Sequence, residues 1–274
     1  MDDVQTTPSE TAGDSRLRAV LVAFGLTLFG ILVAEVTTLP AIALEPALIG
    51  EDPAEAAIEF RTIFFVLNFV GMAAAGAIYL SYTDRGWAYV DLRWPTKRDW
   101  LYTAAGIGAS IAFYFLVVAV IALLDVPAAD SGVVRFVGDD VLMIPILIAI
   151  AFLLNAPAEE FLFRNVIQKR LYDAFDRMTA VVVASAVFAL IHAPVFAVMA
   201  ESIVAIAVPV GVVFGGGLIF GYVYAETENL VVPTLAHAVY NSFIWILLYL
   251  SMEYDLGEVE TPADVVGTVG FVPF

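Results

Sequence analysis

The stretch VLMIPILIAIAFLLNAPAEEFLFR, residues 141–164, sets a long apolar run directly beside Glu159, Glu160 and Arg164. A bilayer crossing takes about 20 apolar residues, so residues 141–157 read as one crossing with the ionisable side chains at its end. Six further apolar runs, over residues 17–44, 62–82, 100–124, 179–200, 203–225 and 230–251, read the same way. The expected fold is all-α, a polytopic transmembrane helix bundle of about seven spans. Its organisation reads as an acidic disordered tail (1–15), N-terminal transmembrane helices (16–140), a second helical group carrying the polar motifs (141–252) and an acidic C-terminal tail (253–274).

Composition agrees. Of 274 residues, 61% are hydrophobic and 15% charged, with mean hydropathy +0.90, against about 45–50% and 25% in soluble domains. That excludes an ordinary water-soluble enzyme. A net charge of −17 leaves no basic surface to neutralise phosphates, so nucleic acid is excluded as a partner. The acidic exterior on a hydrophobic body resembles that of halophile proteins. Without cysteine there is no disulfide, thiolate nucleophile or Cys-ligated zinc.

The apolar run after Arg16 and Arg18 is too long for a signal-peptide core, and no basic region opens the chain, so it reads as a retained anchor. Lys and Arg accumulate in the cytoplasmic loops of membrane proteins. Arg16, Arg18, Arg85, Arg93, Lys97, Arg98, Arg164, Lys169, Arg170 and Arg177, ten of the twelve basic residues, fall on one side of the seven-span division. Only Arg61 and Arg135 fall in opposite-side loops, which otherwise carry acids such as Glu45, Glu51, Asp52 and Asp139. The expected topology has the N-terminus inside and the C-terminus outside. Trp87, Trp94 and Trp100 read as an interfacial aromatic belt, and the basic residues near them as headgroup contacts. Gly211, Gly215, Gly217 and Gly221 in the sixth run read as a close-packing face.

Ionisable groups inside a span cost about 2.5–3.5 kcal/mol each on insertion scales and mark function by default. Both histidines, His192 and His237, lie within apolar runs. Glu160 and Arg164 are four apart and share a helix face, whereas Glu159 is turned about 100° away. A paired carboxylate is structural; an unpaired one in an apolar pocket can serve as a general base. Phe188 and His192 are also four apart, as are His237 and Asn241, which gives each pair one face. Pro157 and Pro194 stand two residues from Glu159 and His192, where they would break or kink a helix and free carbonyls to line a hydrated cavity. Depths counted along the helices do not match: Glu159 falls near the inner face and His192 roughly 20 Å in.

Glu159-Glu160-x-x-x-Arg164, Phe188-x-x-x-His192 and His237-x-x-x-Asn241, in that order on successive apolar helices, resemble the motifs of the CPBP intramembrane proteases, the type II CAAX prenyl protease group. The resemblance implies a seven- or eight-helix membrane endopeptidase whose cavity opens to the cytosol and whose catalytic core lies in 141–252. By that resemblance Glu159 and His192 would activate the attacking water. His237 and Asn241 would stabilise the oxyanion, and the Glu160–Arg164 pair would hold the site in shape. The implied partner is the lipid bilayer, and the implied substrate a membrane-tethered protein or peptide, prenylated CAAX-type proteins among them. No cofactor is expected on this reading. A zinc reading stands beside it, with Glu159, His192 and His237 as ligands and Glu160 as base. Two rival functions use the same residues: a non-catalytic binding or immunity protein, and a proton-coupled transporter, which is disfavoured because the ionisable residues are confined to the second half of the chain. Glu35, in the first run, is left outside the site.

Overall fold

The computed structural model describes residues 15–254 except 84, 126, 128–130 and 199. The expected N-terminal tail lies outside the described residues apart from Ser15, and the expected C-terminal tail apart from Glu253 and Tyr254. Among the described residues, seven helices are long and apolar enough to cross a membrane: Arg16–Leu44, Ile58–Tyr82, Lys97–Leu124, Met143–Leu171, Arg177–Ala197, Ile203–Thr227 and Val231–Tyr254. They are called spans one to seven below.

Local chemistry sets the ends. Ser15, Thr96, Asp176 and Ser202 each accept a hydrogen bond from a backbone amide in the first turn of the helix that follows, which satisfies donors no helix can pair internally. At Asp176 the Thr179 hydroxyl and amide hold the carboxyl below the usual carboxylate range. Spans three and six stop at Asp125 and Glu228, which adopt the left-handed conformation.

Span one shows how a membrane bundle is sided. Ala19, Ala23, Thr27, Gly30, Ala34, Thr38 and Ala41 are its buried residues, at spacings of three and four. Leu17, Leu21, Leu28, Leu32 and Leu39 point outward. Small residues face inward because lipid gives helices no hydrophobic reason to associate, and close backbone approach supplies the contact energy. Gly71 of span two backs so closely onto span one that a Cβ there would stand 2.8 Å from Ala34 Cα. In span six, Gly215 takes the Phe113 ring, Gly217 packs on Ser185, and Gly221 meets Gln168 and Val181. Gly211 has no such neighbour and does not belong to the packing face.

Span four departs most from its sequence reading. It does not end near 157 but runs to Leu171, with two π-helical segments, Ala151–Asn155 and Phe161–Gln168, separated by the α-helical turn Ala156–Glu160. The Ala156 amide reaches back five residues to Ala151 O. This widened turn takes in Pro157, which lacks an amide donor, without breaking the helix. Arg164 and Lys169 do not stop the helix either, because both find partners within the fold. Arg164 pairs with Glu160, and Lys169 donates to Tyr89 O and Asp91. Arg164 therefore lies in a membrane helix and not in a loop. The longer helix also removes the mismatch of depths: Glu159 sits mid-span, roughly 24 Å from Met143 and 18 Å from Leu171 at 1.5 Å per residue.

The two ends of the bundle are distinct. At one end the Arg16 guanidinium lies 5.8 Å from the Phe175 ring centroid. There the loop after span two is tied to span four by Asn165, whose side chain accepts from Asp91 N, and to the start of span seven by Leu230 N donating to Asp91 O. At the other end the connection between spans one and two meets residues 131–140. Arg61 donates to Phe136 O at 2.7 Å and pairs with Asp140 at 2.6 Å. Arg135 donates to Gly50 O and Glu51 O. Arg61, expected in a loop, belongs to the first turn of span two and is 3% exposed, because this partner set lets it be buried.

Candidate active site

Span four supplies the centre. Its π-helical entry ends at Asn155, and the α turn that follows carries Glu159 and Glu160 on different faces. Glu159 Oε1 accepts from Asn155 Nδ2 at 2.9 Å, and Oε2 finds no donor among the described residues. Glu160 is fully buried between two partners. Its Oε2 accepts from Arg164 Nε at 2.9 Å, and its Oε1 lies 2.9 Å from His237 Nδ1 of span seven. With the Nδ1 proton directed at Glu160, His237 Nε2 is the acceptor for Asn241 Nδ2 at 3.1 Å. Asn241 Nδ2 also donates to Asn155 Oδ1 at 2.7 Å. A relay therefore runs from Asn241 through Asn155 to Glu159. His237 Nε2 stands 3.8 Å from Glu159 Oε2, too far for a direct hydrogen bond.

Aromatic packing fixes the rings. His237 stacks on Phe220 of span six with centroids 5.0 Å apart. His192 meets Phe188 edge-to-face at 4.7 Å, and its Nδ1–H donates to Phe188 O at 2.7 Å, which leaves Nε2 as the acceptor. Arg164 lies over the other side of this cluster, 5.2 Å from the Phe188 centroid.

Asn155, Glu159 and His192 line a cavity of ≈ 530 Å³, walled mainly by apolar and aromatic side chains including Phe64, Phe69 and Trp245. The structure thus brings five of the six sequence-derived residues, Glu159, Glu160, Arg164, His237 and Asn241, into one hydrogen-bonded cluster and sets the sixth, His192, on the same cavity wall as Glu159. His237 and Asn241 do not point into that cavity. They are 0% and 1% exposed and stand one layer behind Glu159 and Asn155. Glu35 borders the cavity from span one. Asn155 is the residue the sequence reading passed over. Its signal was available, as an amide inside an apolar run one helical turn before Glu159.

The cavity runs from Glu159 toward residues 132–136 and 194–198, and its lining includes no residue of the loops at the Arg16 end. It extends toward the end of the bundle opposite Arg16.

A zinc ion on Glu159, His192 and His237 would need three donors about 2.0–2.2 Å from one point. Among the described residues no three His, Cys, Asp or Glu side chains converge in that way, and His237 Nε2 is engaged by Asn241. The donor set does not fit the ion.

A seven-span membrane bundle with a carboxylate, an amide and an imidazole on the wall of an internal cavity defines a membrane protein with an intramembrane polar site. In comparison with known proteins, residues 141–243 match the family model described as type II CAAX prenyl endopeptidase Rce1-like. The chain is similar to "Putative membrane peptidase YdiL" of Bacillus subtilis (strain 168), 23% identical over 142 residues that cover 52% of this chain and 50% of that protein. It is also similar to "Membrane-embedded CAAX protease MroQ" of Staphylococcus aureus (strain USA300), 34% identical over 112 residues that cover 40% of this chain and 42% of that protein. The chain thus spans half or less of the length of these relatives. No solved structure matches it.

Proposed function

We propose that this protein is an intramembrane endopeptidase that hydrolyses a peptide bond of a membrane-tethered protein or peptide without a metal ion. The observation that carries the reading is the asymmetric Glu159 carboxylate. Asn155 holds Oε1, while Oε2 has no donor and the residue lies on a cavity wall shared with His192. Oε2 is the base that takes a proton from the attacking water, and His192 Nε2 accepts the second hydrogen bond of that water and so orients it. Attack on the scissile carbonyl gives a tetrahedral oxyanion. Glu159 then returns the proton to the leaving amine, so the step balances with water as the only co-reactant.

The oxyanion needs a fixed donor at the wall, and the Asn155 amide is placed for it. Asn241 and His237 reach the oxyanion through this layer: Asn241 orients Asn155, and His237 locks Glu160. The Rce1-like domain and the words "peptidase" and "protease" in the relatives' names support the class. Prenylated CAAX-type proteins are one substrate group within it.

The test is purified protein in liposomes with a library of membrane-tethered peptides, products being read by mass spectrometry. Cleavage at a defined bond supports the proposal. Binding without cleavage of any peptide overturns it in favour of a non-catalytic role. Exhaustive chelation is expected to leave the rate unchanged, and loss of activity restored by zinc would overturn the metal-free mechanism. Asn155→Ala is expected to lower kcat about 10²-fold with KM little changed, the scale of one lost oxyanion donor. Steady-state kinetics on the cleaved peptide checks it.

A further inference from the structure

We infer that Glu35 is a substrate-recognising carboxylate, and that the substrate carries a Lys or Arg side chain within two residues of the scissile bond. This rests on the endopeptidase reading for the bond that is cut, but not for the cation that is bound.

The cavity wall is mainly apolar, and among the described residues Glu35 and Glu159 are its two carboxylates. Ile31, Ala34 and Glu35 stand three and four residues apart, so one face of span one borders the cavity. Glu35 is exposed there, and among the described residues its carboxylate has no hydrogen bond or ion pair. Arg135, the one Lys or Arg on the described lining, is engaged elsewhere, donating to Gly50 O and Glu51 O. An unpaired carboxylate within a membrane span is costly, and such groups face hydrated cavities and mark the path of a substrate or ion. A second polar group stands near it. Thr37 Oγ1 of span one donates to Leu67 O of span two at 2.8 Å, and this crossing brings Asn68 to the same stretch of wall. The Asn68 side chain is likewise without a partner among the described residues. Lys and Arg are donors only, so a carboxylate and an amide oxygen on an otherwise apolar wall suit them. An acidic side chain would meet repulsion from Glu35 and Glu159 alike.

Depth gives the register. A Cβ on Gly30 of span one would stand 2.6 Å from Leu162 Cδ2 of span four, so the two helices touch there. They run in opposite directions. Glu35, five residues on from Gly30, and Glu159, three residues back from Leu162, therefore lie toward the same end of the bundle. At 1.5 Å per residue their depths agree within about 5 Å. An extended peptide advances about 3.3 Å per residue, which puts the cationic side chain one or two residues from the bond beside Glu159.

The test uses purified protein in liposomes and sets of membrane-tethered peptides in which one position is Lys, norleucine or Glu. The parent is expected to cleave the Lys peptide about tenfold more efficiently, in kcat/KM, than the norleucine peptide, the scale of one charge-assisted hydrogen bond. The Glu peptide is expected to be the poorest. In Glu35→Gln the Lys-to-norleucine ratio is expected to fall to near one, and Glu35→Lys is expected to favour the Glu peptide over the Lys peptide. A ratio near one in the parent, or one unchanged in Glu35→Gln, overturns the inference. Moving the Lys along the peptide is expected to keep the cut within two residues of it. An equal preference at every position reports general attraction to an acidic protein and also overturns it. Binding of fluorescent Lys and norleucine peptides gives the same ratio where nothing is cut. A binding preference that is lost in Glu35→Gln, with no cleavage of any peptide, removes the endopeptidase and leaves the cation subsite. Cleavage without charge preference removes the subsite and leaves the endopeptidase.

Discussion

Glu159→Gln is expected to lower turnover of a membrane-tethered peptide by about 10³-fold, within the range a positioned general base contributes. The substitution keeps the shape of the side chain and an acceptor oxygen for Asn155 Nδ2, so the fold and the cavity wall stay as they are. What it removes is the acceptor at Oε2, the position with no donor of its own. Substrate binding is expected to persist, with KM little changed, because the lost interaction acts on the reacting water and not on the peptide. Kinetics with melting in detergent as a control checks this. Turnover within about tenfold of the parent would be too small for loss of the base and would move that role away from Glu159.

Arg164→Ala is expected to cost about 3–5 kcal/mol of stability, the scale of breaking a buried ion pair by removing one partner. Arg164 and Glu160 are both 0% exposed, and the pair is joined at 2.9 Å. Without the guanidinium, Glu160 keeps the His237 Nδ1–H as a hydrogen-bond partner but has no cation beside it, and the packing over Phe188 is lost as well. Low yield and a lowered melting temperature in detergent are the readouts. The double variant Glu160→Gln with Arg164→Met removes both charges and is expected to recover most of that stability, since a buried pair replaced by apolar or neutral groups often costs little. It is not expected to recover activity, because His237 loses the carboxylate that fixes its ring. A single Arg164→Ala variant as stable as the parent would mean that the pair carries no structural weight.

The spans were legible because each is a long apolar run, and bilayer thickness turns run length directly into a crossing. The end of span four was not, because charge was read as a boundary. Arg164 and Lys169 look like loop residues in the sequence, and only their partners, Glu160 and Asp91, reveal that both can sit within a helix. Asn155 was missed for a related reason. An amide in an apolar run has no meaning until Asn241 and Glu159, one of them 86 positions away, are brought to it.

The sequence by itself determined the membrane class, the seven crossings, the inventory of polar residues and the pairing of Glu160 with Arg164, all of which follow from run length and helical period. Tertiary structure alone decided which of those residues face the cavity, which stand behind it, and toward which end of the bundle the cavity extends. Periodicity says which side chains share a face of one helix. The order of layers around a cavity depends instead on how neighbouring helices turn those faces toward one another, through contacts such as Phe220 on His237 and Phe188 on His192 that no local spacing encodes.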